Sequence, residues 1–148
     1  MNSVVENKQY VVFRLGKEEY GIDIQMVATI EKIMQITRVP KTPEYVRGVI
    51  NLRGDIIPIV DLRIRFNLPS MEETEDTRII IVKLDDLSIG MIVDSVDEVV
   101  DLMENSIESV TNFNSDLSID YINGVGKIED RIITLLNLVK LFVLLEKE

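Results

Sequence analysis

The chain has 148 residues, a formal net charge of −10, no cysteine and no histidine. A domain of that length buries about 68–70% of its unfolded surface, so it needs neither disulfide nor structural metal; the two missing residue types exclude thiolate nucleophiles, zinc–thiolate sites, histidine triads and most transition-metal sites. The negative charge repels phosphate backbones and anionic lipid surfaces, which argues against nucleic acid as a partner.

The N-terminus, MNSVVENKQY, has no apolar core of a signal peptide. The greasiest stretch, Ile132 to Leu145, is too short to span a bilayer and is broken by Asn137 and Lys140. A soluble, cytoplasmic protein without membrane insertion is expected. Isoleucine and valine dominate the apolar residues and Ala28 is the only alanine, a composition suited to strands. In chain order, β-branched runs bounded by turns predict strands at Tyr10–Leu15, Tyr20–Ile24, Gln35–Val39, Gly48–Leu52 and Asp55–Val60. A short helix follows from Asp61 to Phe66, with the Asx residue as its N-cap. The acidic run Glu72 to Asp76 reads as a solvated linker. Strands are predicted again at Ile79–Leu84, Ser88–Val93, Glu98–Leu102, Gly124–Ile128 and Arg131–Leu136, then a helix from Asn137 to Leu145 with Leu138, Leu141, Phe142 and Leu145 on one face. Thr42-Pro43 and Ser118 read as caps of single turns before Gly48 and Gly124. Tight connections at Gly16-Lys17-Glu18, Arg53-Gly54, Asp85-Asp86 and Glu129-Asp130 imply antiparallel hairpins. Pro58 lacks a ladder donor and is expected at an edge or bulge.

The second half repeats the first. Residues 42–66 align on 118–142 at a constant offset of 76, which places Tyr45 on Tyr121, Gly48 on Gly124, Asp61 on Asn137 and Phe66 on Phe142. Residues 11–27 align on 80–96 at an offset of 69, with Gly21 on Gly90. One domain, 1–148, therefore contains repeat units of about 8–70 and 77–148, either side by side or intertwined, and five short twisted strands per unit suit small closed barrels.

The run RGVINLRGDIIPIVDLRIRF at Arg47 to Phe66, with EEYGIDI at Glu18 to Ile24 and GMIVDSVDEVV at Gly90 to Val100, resembles the CheW family of bacterial chemotaxis adaptors over essentially the whole chain. The resemblance implies a mainly β fold of two five-stranded SH3-like β-barrel subdomains with short helices. It also implies a scaffold that couples the cytoplasmic tips of methyl-accepting chemotaxis receptors to the regulatory domain of the histidine kinase CheA, recruited to membrane-associated receptor arrays. These 148 residues contain neither kinase segments nor a receiver domain. A detached CheW-like regulatory domain and a small-ligand sensor using the groove between barrels are the alternatives.

Carried over from the family, the kinase-binding surface falls on Ile30, Glu31, Lys32 and Gly48, and the receptor-binding surface on Val27, Arg53, Ile79, Val96 and Val99. Ile30 is either an apolar anchor rimmed by charge or plain core, and Gly48 either permits close approach of a partner or serves a turn that Gly124 shares. Val27 and Val96 are equivalent in the two repeats, as opposing walls of one groove or as mirrored core. Thr29 stands where the family often has glutamate, so contacts resting on that carboxylate are in question. Arg53 is the sharpest candidate. Its repeat counterpart is Glu129 and that of Gly54 is Asp130, so two hairpin tips share a pattern but carry opposite charge. The fold explains what the copies share; it does not explain an arginine reversed at an exposed turn of an acidic chain, which suits pairing with a partner's carboxylate.

Other signals weaken on inspection. Arg53-Gly54-Asp55 spells an extracellular adhesion tripeptide in a chain that reads as cytoplasmic. Asn112, Asn114, Asp116, Ser118, Asp120 and Asn123 fall at calcium-loop positions, but the sixth position is Leu117 rather than glycine and the twelfth lacks a bidentate glutamate. Asp94, Asp97, Glu98, Asp101 and Glu104 read as solvated carboxylates. No glycine-rich phosphate loop occurs, since Gly48 to Gly54 lies in a hairpin without a following lysine. No catalytic residue, metal or cofactor is expected.

Overall fold

The computed structural model describes residues 7–109 and 121–146, with side chains for 7–109 and 121–142. The calcium-like positions from Asn112 to Asp120, the Ser118 cap and the Leu145 side chain lie outside that description. The strands are β1 Asn7–Leu15, β2 Glu18–Asp23, β3 Val27–Lys32, β4 Val46–Leu52, β5 Asp55–Asp61, β6 Arg78–Leu84, β7 Leu87–Val93, β8 Ser95–Met103, β9 Ile107–Glu108, β10 Ile122–Ile128 and β11 Arg131–Leu136; the helices are α1 Leu62–Arg65 and α2 Leu138–Glu146.

They form a six-stranded sheet, β8-β1-β2-β11-β10-β9, and a five-stranded sheet, β3-β6-β7-β5-β4. Both sheets mix strands from before and after the acidic stretch 72–76. All four predicted hairpins are present, closing at Leu15↔Glu18, Leu52↔Asp55, Leu84↔Leu87 and Ile128↔Arg131. Each sheet also contains one parallel pair, β2–β11 in the first and β5–β7 in the second. Gly21 faces Leu135 and Gly90 faces Ile59 at repeat-equivalent places in those pairs. A Cβ on Gly90 would stand 2.5 Å from Ile59 Cδ1, and one on Gly21 would stand 2.9 Å from Leu135 Cδ2.

Each sheet closes on itself. In the first, a 3-10 turn carries β8 into β9, which pairs with β10 at Glu108↔Val125. In the second, Thr37 bridges Val49, whose position 76 residues on is Val125, while Ile33, Met34 and Ile36 pack inside. The predicted strand Gln35–Val39 is thus a single bridge, the counterpart of the two-residue β9. The third long strand of the first repeat is Val27–Lys32, which falls 69 residues before the Val96–Asp101 part of β8. Both carry a bulge at the same place: β3 slips register at Ala28 and β8 at Asp97.

Three cores explain the unbroken β-branched runs. Tyr10, Val12, Val100, Leu102, Ile133 and Leu135 fill one barrel, and Ile50, Ile57, Ile59, Ile79, Ile81 and Ile92 fill the other. The alternate residues of the same strands, such as Val11, Phe13, Ile80, Val82 and Met91, meet α1 and α2 in a central core between the barrels. Strands buried on both faces lose their polar alternation.

Pro58 is neither at an edge nor at a bulge. It faces Val49, which turns both its N–H and its C=O to Thr37 at 2.8 Å, and the parallel ladder to β7 begins only at Ile59. No neighbour asks for the N–H that proline lacks. Both helices start as read: Asp61 accepts from the N–H of Arg63 at 3.0 Å and of Ile64 at 3.3 Å, and Asn137 accepts from that of Lys140 at 3.0 Å.

Candidate protein-interaction surfaces

β3 and β8 each form one edge of their sheets, and most of the candidate residues lie on them. Ile30 is 40% exposed and Lys32 is exposed, so Ile30 is not core. Glu31 accepts a hydrogen bond from Thr29 Oγ1 at 2.6 Å. Thr29 therefore holds the carboxylate beside Ile30. Val99 is 49% exposed on β8. Val27 and Val96 are half-buried, both packed against the central core at the start of their strands, so each serves packing and rim together. Val27 to Lys32 thus form one continuous edge, and Val96 and Val99 form its counterpart on the other barrel.

Two candidates do not belong to an accessible surface. Ile79 is fully buried among the isoleucines of the second barrel, because residues of β6 alternate between two cores and offer no solvent face there; a receptor cannot reach it in this conformation. Gly48 is buried at φ 142°, where a Cβ would collide with the Thr37 carbonyl. Gly124 repeats the arrangement, with a Cβ 2.8 Å from the Glu108 carbonyl oxygen. The close approach that both glycines permit is to the chain's own backbone, at Thr37 and at Glu108 of β9.

Arg53 is exposed at the tip of the β4–β5 hairpin, at the opposite edge of the sheet from β3. It has φ 53° and Gly54 φ 90°, a pair of left-handed residues that matches a type I′ turn; Asn51 Oδ1 accepts from the Gly54 N–H at 3.0 Å. Its side chain has no partner among the described residues. Glu129 at the other tip has φ 54°, so both tips accept a non-glycine left-handed residue and differ in charge.

Two carboxylates of β8, Asp97 and Glu98, are paired rather than free. Asp97 accepts from Arg14 Nε at 2.7 Å, and Arg131 joins Glu98 at 2.6 Å and Glu19 at 2.7 Å. The Arg131 hydrogen bonds hold the Glu19 carboxyl below the usual carboxylate range, despite burial acting the other way. The repeat counterparts of Arg14, Glu19, Asp97, Glu98 and Arg131 are Lys83, Ser88, Ala28, Thr29 and Asp55. One barrel edge carries an ion lattice; in the other barrel Ala28, Thr29 and Ser88 stand in place of three of its carboxylates.

Sequence reading missed a cluster at α1. Arg63 binds Asp94 through Nε at 2.8 Å and Nη2 at 2.5 Å, while the Gly16 N–H donates to Asp94 at 2.7 Å. Burial raises the cost of the Asp94 charge, but Arg63 and the Gly16 N–H outweigh it and hold its pKa low. Arg65 lies over the rings of Tyr45 and Tyr121, 5.4 and 5.6 Å from their centroids. That the two tyrosines are repeat partners was the available signal for a tie near the pseudo-twofold.

The CheW-like domain profile matches residues 9–146. The chain is 37% identical to the chemotaxis protein CheW of Klebsiella aerogenes over 134 residues, covering 90% of this chain and 81% of that protein. It is 41% identical to the chemotaxis protein CheW of Bacillus subtilis over 144 residues, covering 95% and 88%. The crystal structure of the scaffolding protein TtCheW from Thermoanaerobacter tengcongensis superposes with a TM-score of 0.83 at 40% identity, covering 88% of this chain and 89% of that one. With paired barrels, repeat and motifs matched across the described residues, the chain belongs to the CheW-like family.

Proposed function

We propose that this chain is a chemotaxis adaptor that holds the cytoplasmic tips of methyl-accepting receptors against the regulatory domain of the histidine kinase CheA. It is a scaffold and not an enzyme, as its family and relatives are. The observation that carries the reading is that β3 and β8, equivalent edge strands of the two barrels, each keep an exposed apolar side chain at the same repeat position, Ile30 and Val99. Exposed apolar residues flanked by charge suit protein docking. Ile30, Glu31 and Lys32 are assigned to the kinase; Val27, Val96, Val99 and Arg53 to the receptor. Nothing in the comparisons favours the ligand-sensor alternative.

Among the described residues no helix is long and apolar enough to cross a membrane. Placement at receptor arrays in the cytoplasm follows from the proposed partners. The test is reconstitution: receptor-bearing membranes and CheA with and without the chain. The adaptor reading requires the chain to sediment with the membranes, recruit CheA and raise its autophosphorylation. Equal kinase activity with and without it would sink the reading.

A further inference from the structure

The two repeats place a helix against a hairpin turn twice, and the two places differ in the side chains between them. At α1, Arg63 reaches the β1–β2 turn. Its guanidinium is gripped by Asp94 and lies near Gly16, where a Cβ would be 3.6 Å from Nη2. The space is filled, and the Arg63 side chain is 13% exposed. At α2 the residue 76 positions on from Arg63 is Val139, and Asp85 and Asp86 of the β6–β7 turn stand where Gly16 and Lys17 stand in the first repeat. Here an open groove of about 620 Å³ remains, floored by Met26, Leu84, Leu87 and Phe142 with Val139 on one wall. Leu87 is 43% and Val139 51% exposed. Neither Asp85 nor Asp86 has an ion-pair partner among the described residues; Lys83 also lines the groove, but two carboxylates outnumber it.

We propose that this groove docks an apolar segment of a partner protein that presents an arginine, its aliphatic stem lying on Leu84, Leu87 and Phe142 and its guanidinium meeting Asp85 and Asp86. The equivalent place in the first repeat is filled by a guanidinium that a helix delivers, held there by Asp94; the counterpart of Asp94 at the second place is Gln25, and the acidic groups sit instead on the turn itself, at Asp85 and Asp86. Where the first repeat supplies that arginine from its own α1, the second supplies only the apolar floor and the carboxylates. A planar guanidinium tolerates partial desolvation better than an ammonium and grips carboxylates in two-pronged fashion, so arginine suits the groove better than lysine. The groove shares none of the residues assigned above to kinase or receptor. Its failure would therefore leave the adaptor reading standing.

The experiment is an NMR titration of the isotope-labelled chain with a synthetic amphipathic helical peptide bearing leucines along one face and a central arginine. Shifts should concentrate on Leu84, Leu87 and Val139. Replacing the peptide's arginine by glutamate, or Asp85 and Asp86 by asparagine, should weaken binding about tenfold or more, the worth of a close charge pair. Val139→Arg, at a half-exposed helix position, should fold normally and block the groove with its own guanidinium. Shifts centred elsewhere, or wild-type affinity in the Val139→Arg protein or for the glutamate peptide, would overturn the proposal.

Discussion

The two barrels share strand order, bulges, glycines and helix caps, yet one edge is laced with ion pairs and the other is bare. Around β8, Arg14, Arg131, Glu19, Asp97 and Glu98 form one connected lattice. In the other barrel the counterparts are Lys83, Asp55, Ser88, Ala28 and Thr29, which form no such lattice among the described residues, and Ile30 stands exposed on β3. An unprotected edge strand invites pairing with another chain, and charge is the usual deterrent. On β8 the ion lattice holds the rim beside Val99, while on β3 Ile30 has only Glu31 and Lys32 beside it. Duplication supplied two equal frames, and the differences between them mark the surfaces.

The comparison is broken most severely from inside. Ile79→Ala removes a fully buried side chain from the second barrel and should cost about 2–5 kcal/mol of stability. Urea unfolding measures it; a loss below about 1 kcal/mol would contradict the placement of Ile79 in the core. Next comes the bare edge. Ile30→Glu should weaken CheA binding by about 2 kcal/mol or more while leaving the melting curve nearly unchanged, because the side chain is already in water. Titration calorimetry with a melting curve separates the outcomes, and normal affinity would remove Ile30 from the kinase surface.

Removing the lattice is gentler. Arg131→Met strands Glu19 and Glu98 at a partly exposed site and should cost about 1 kcal/mol, a difference that shrinks in high salt. A salt-independent loss would point to packing instead of charge. The pH dependence has a definite sign. Asp94 and Glu19 are held below their ordinary pKa values, so the unfolded chain takes up their protons first as pH falls. Their stabilisation is present above the ordinary carboxylate values near about 4 and is lost as pH drops through the folded ones. Asp94→Asn should lower stability at neutral pH and flatten the acid limb; an unchanged limb would contradict the Arg63 grip.

The repeat was legible because glycine spacing and hydrophobic register survive at fixed offsets, and the hairpins because their turn residues are explicit. Strand Val27–Lys32 was missed because VATIEK offers few strongly apolar residues, although the offset of 69 from β8 points to it. The parallel β2–β11 and β5–β7 pairs were not legible, since local patterns do not name a strand's neighbour. Ile79 was misplaced for a related reason: a strand buried on both faces has no alternation to reveal which residues are hidden. Arg53 stood out through charge reversal between tips. Arg63 stood in the quoted motif, but its partner Asp94 is distant in sequence, and nothing local joins them.

The most direct test of functional asymmetry uses the two hairpin tips. Arg53→Glu gives the first tip the residue the second already tolerates at the same left-handed φ, so it should change stability by less than about 0.5 kcal/mol. Glu129→Arg makes the opposite change at the equivalent place. In a reconstituted receptor–kinase assay, Arg53→Glu should still bind CheA but lose receptor-dependent activation, and Glu129→Arg should remain active. Equal losses from the two, which change the net charge in opposite directions, would show that the tips are functionally alike and that Arg53 is no distinct receptor contact.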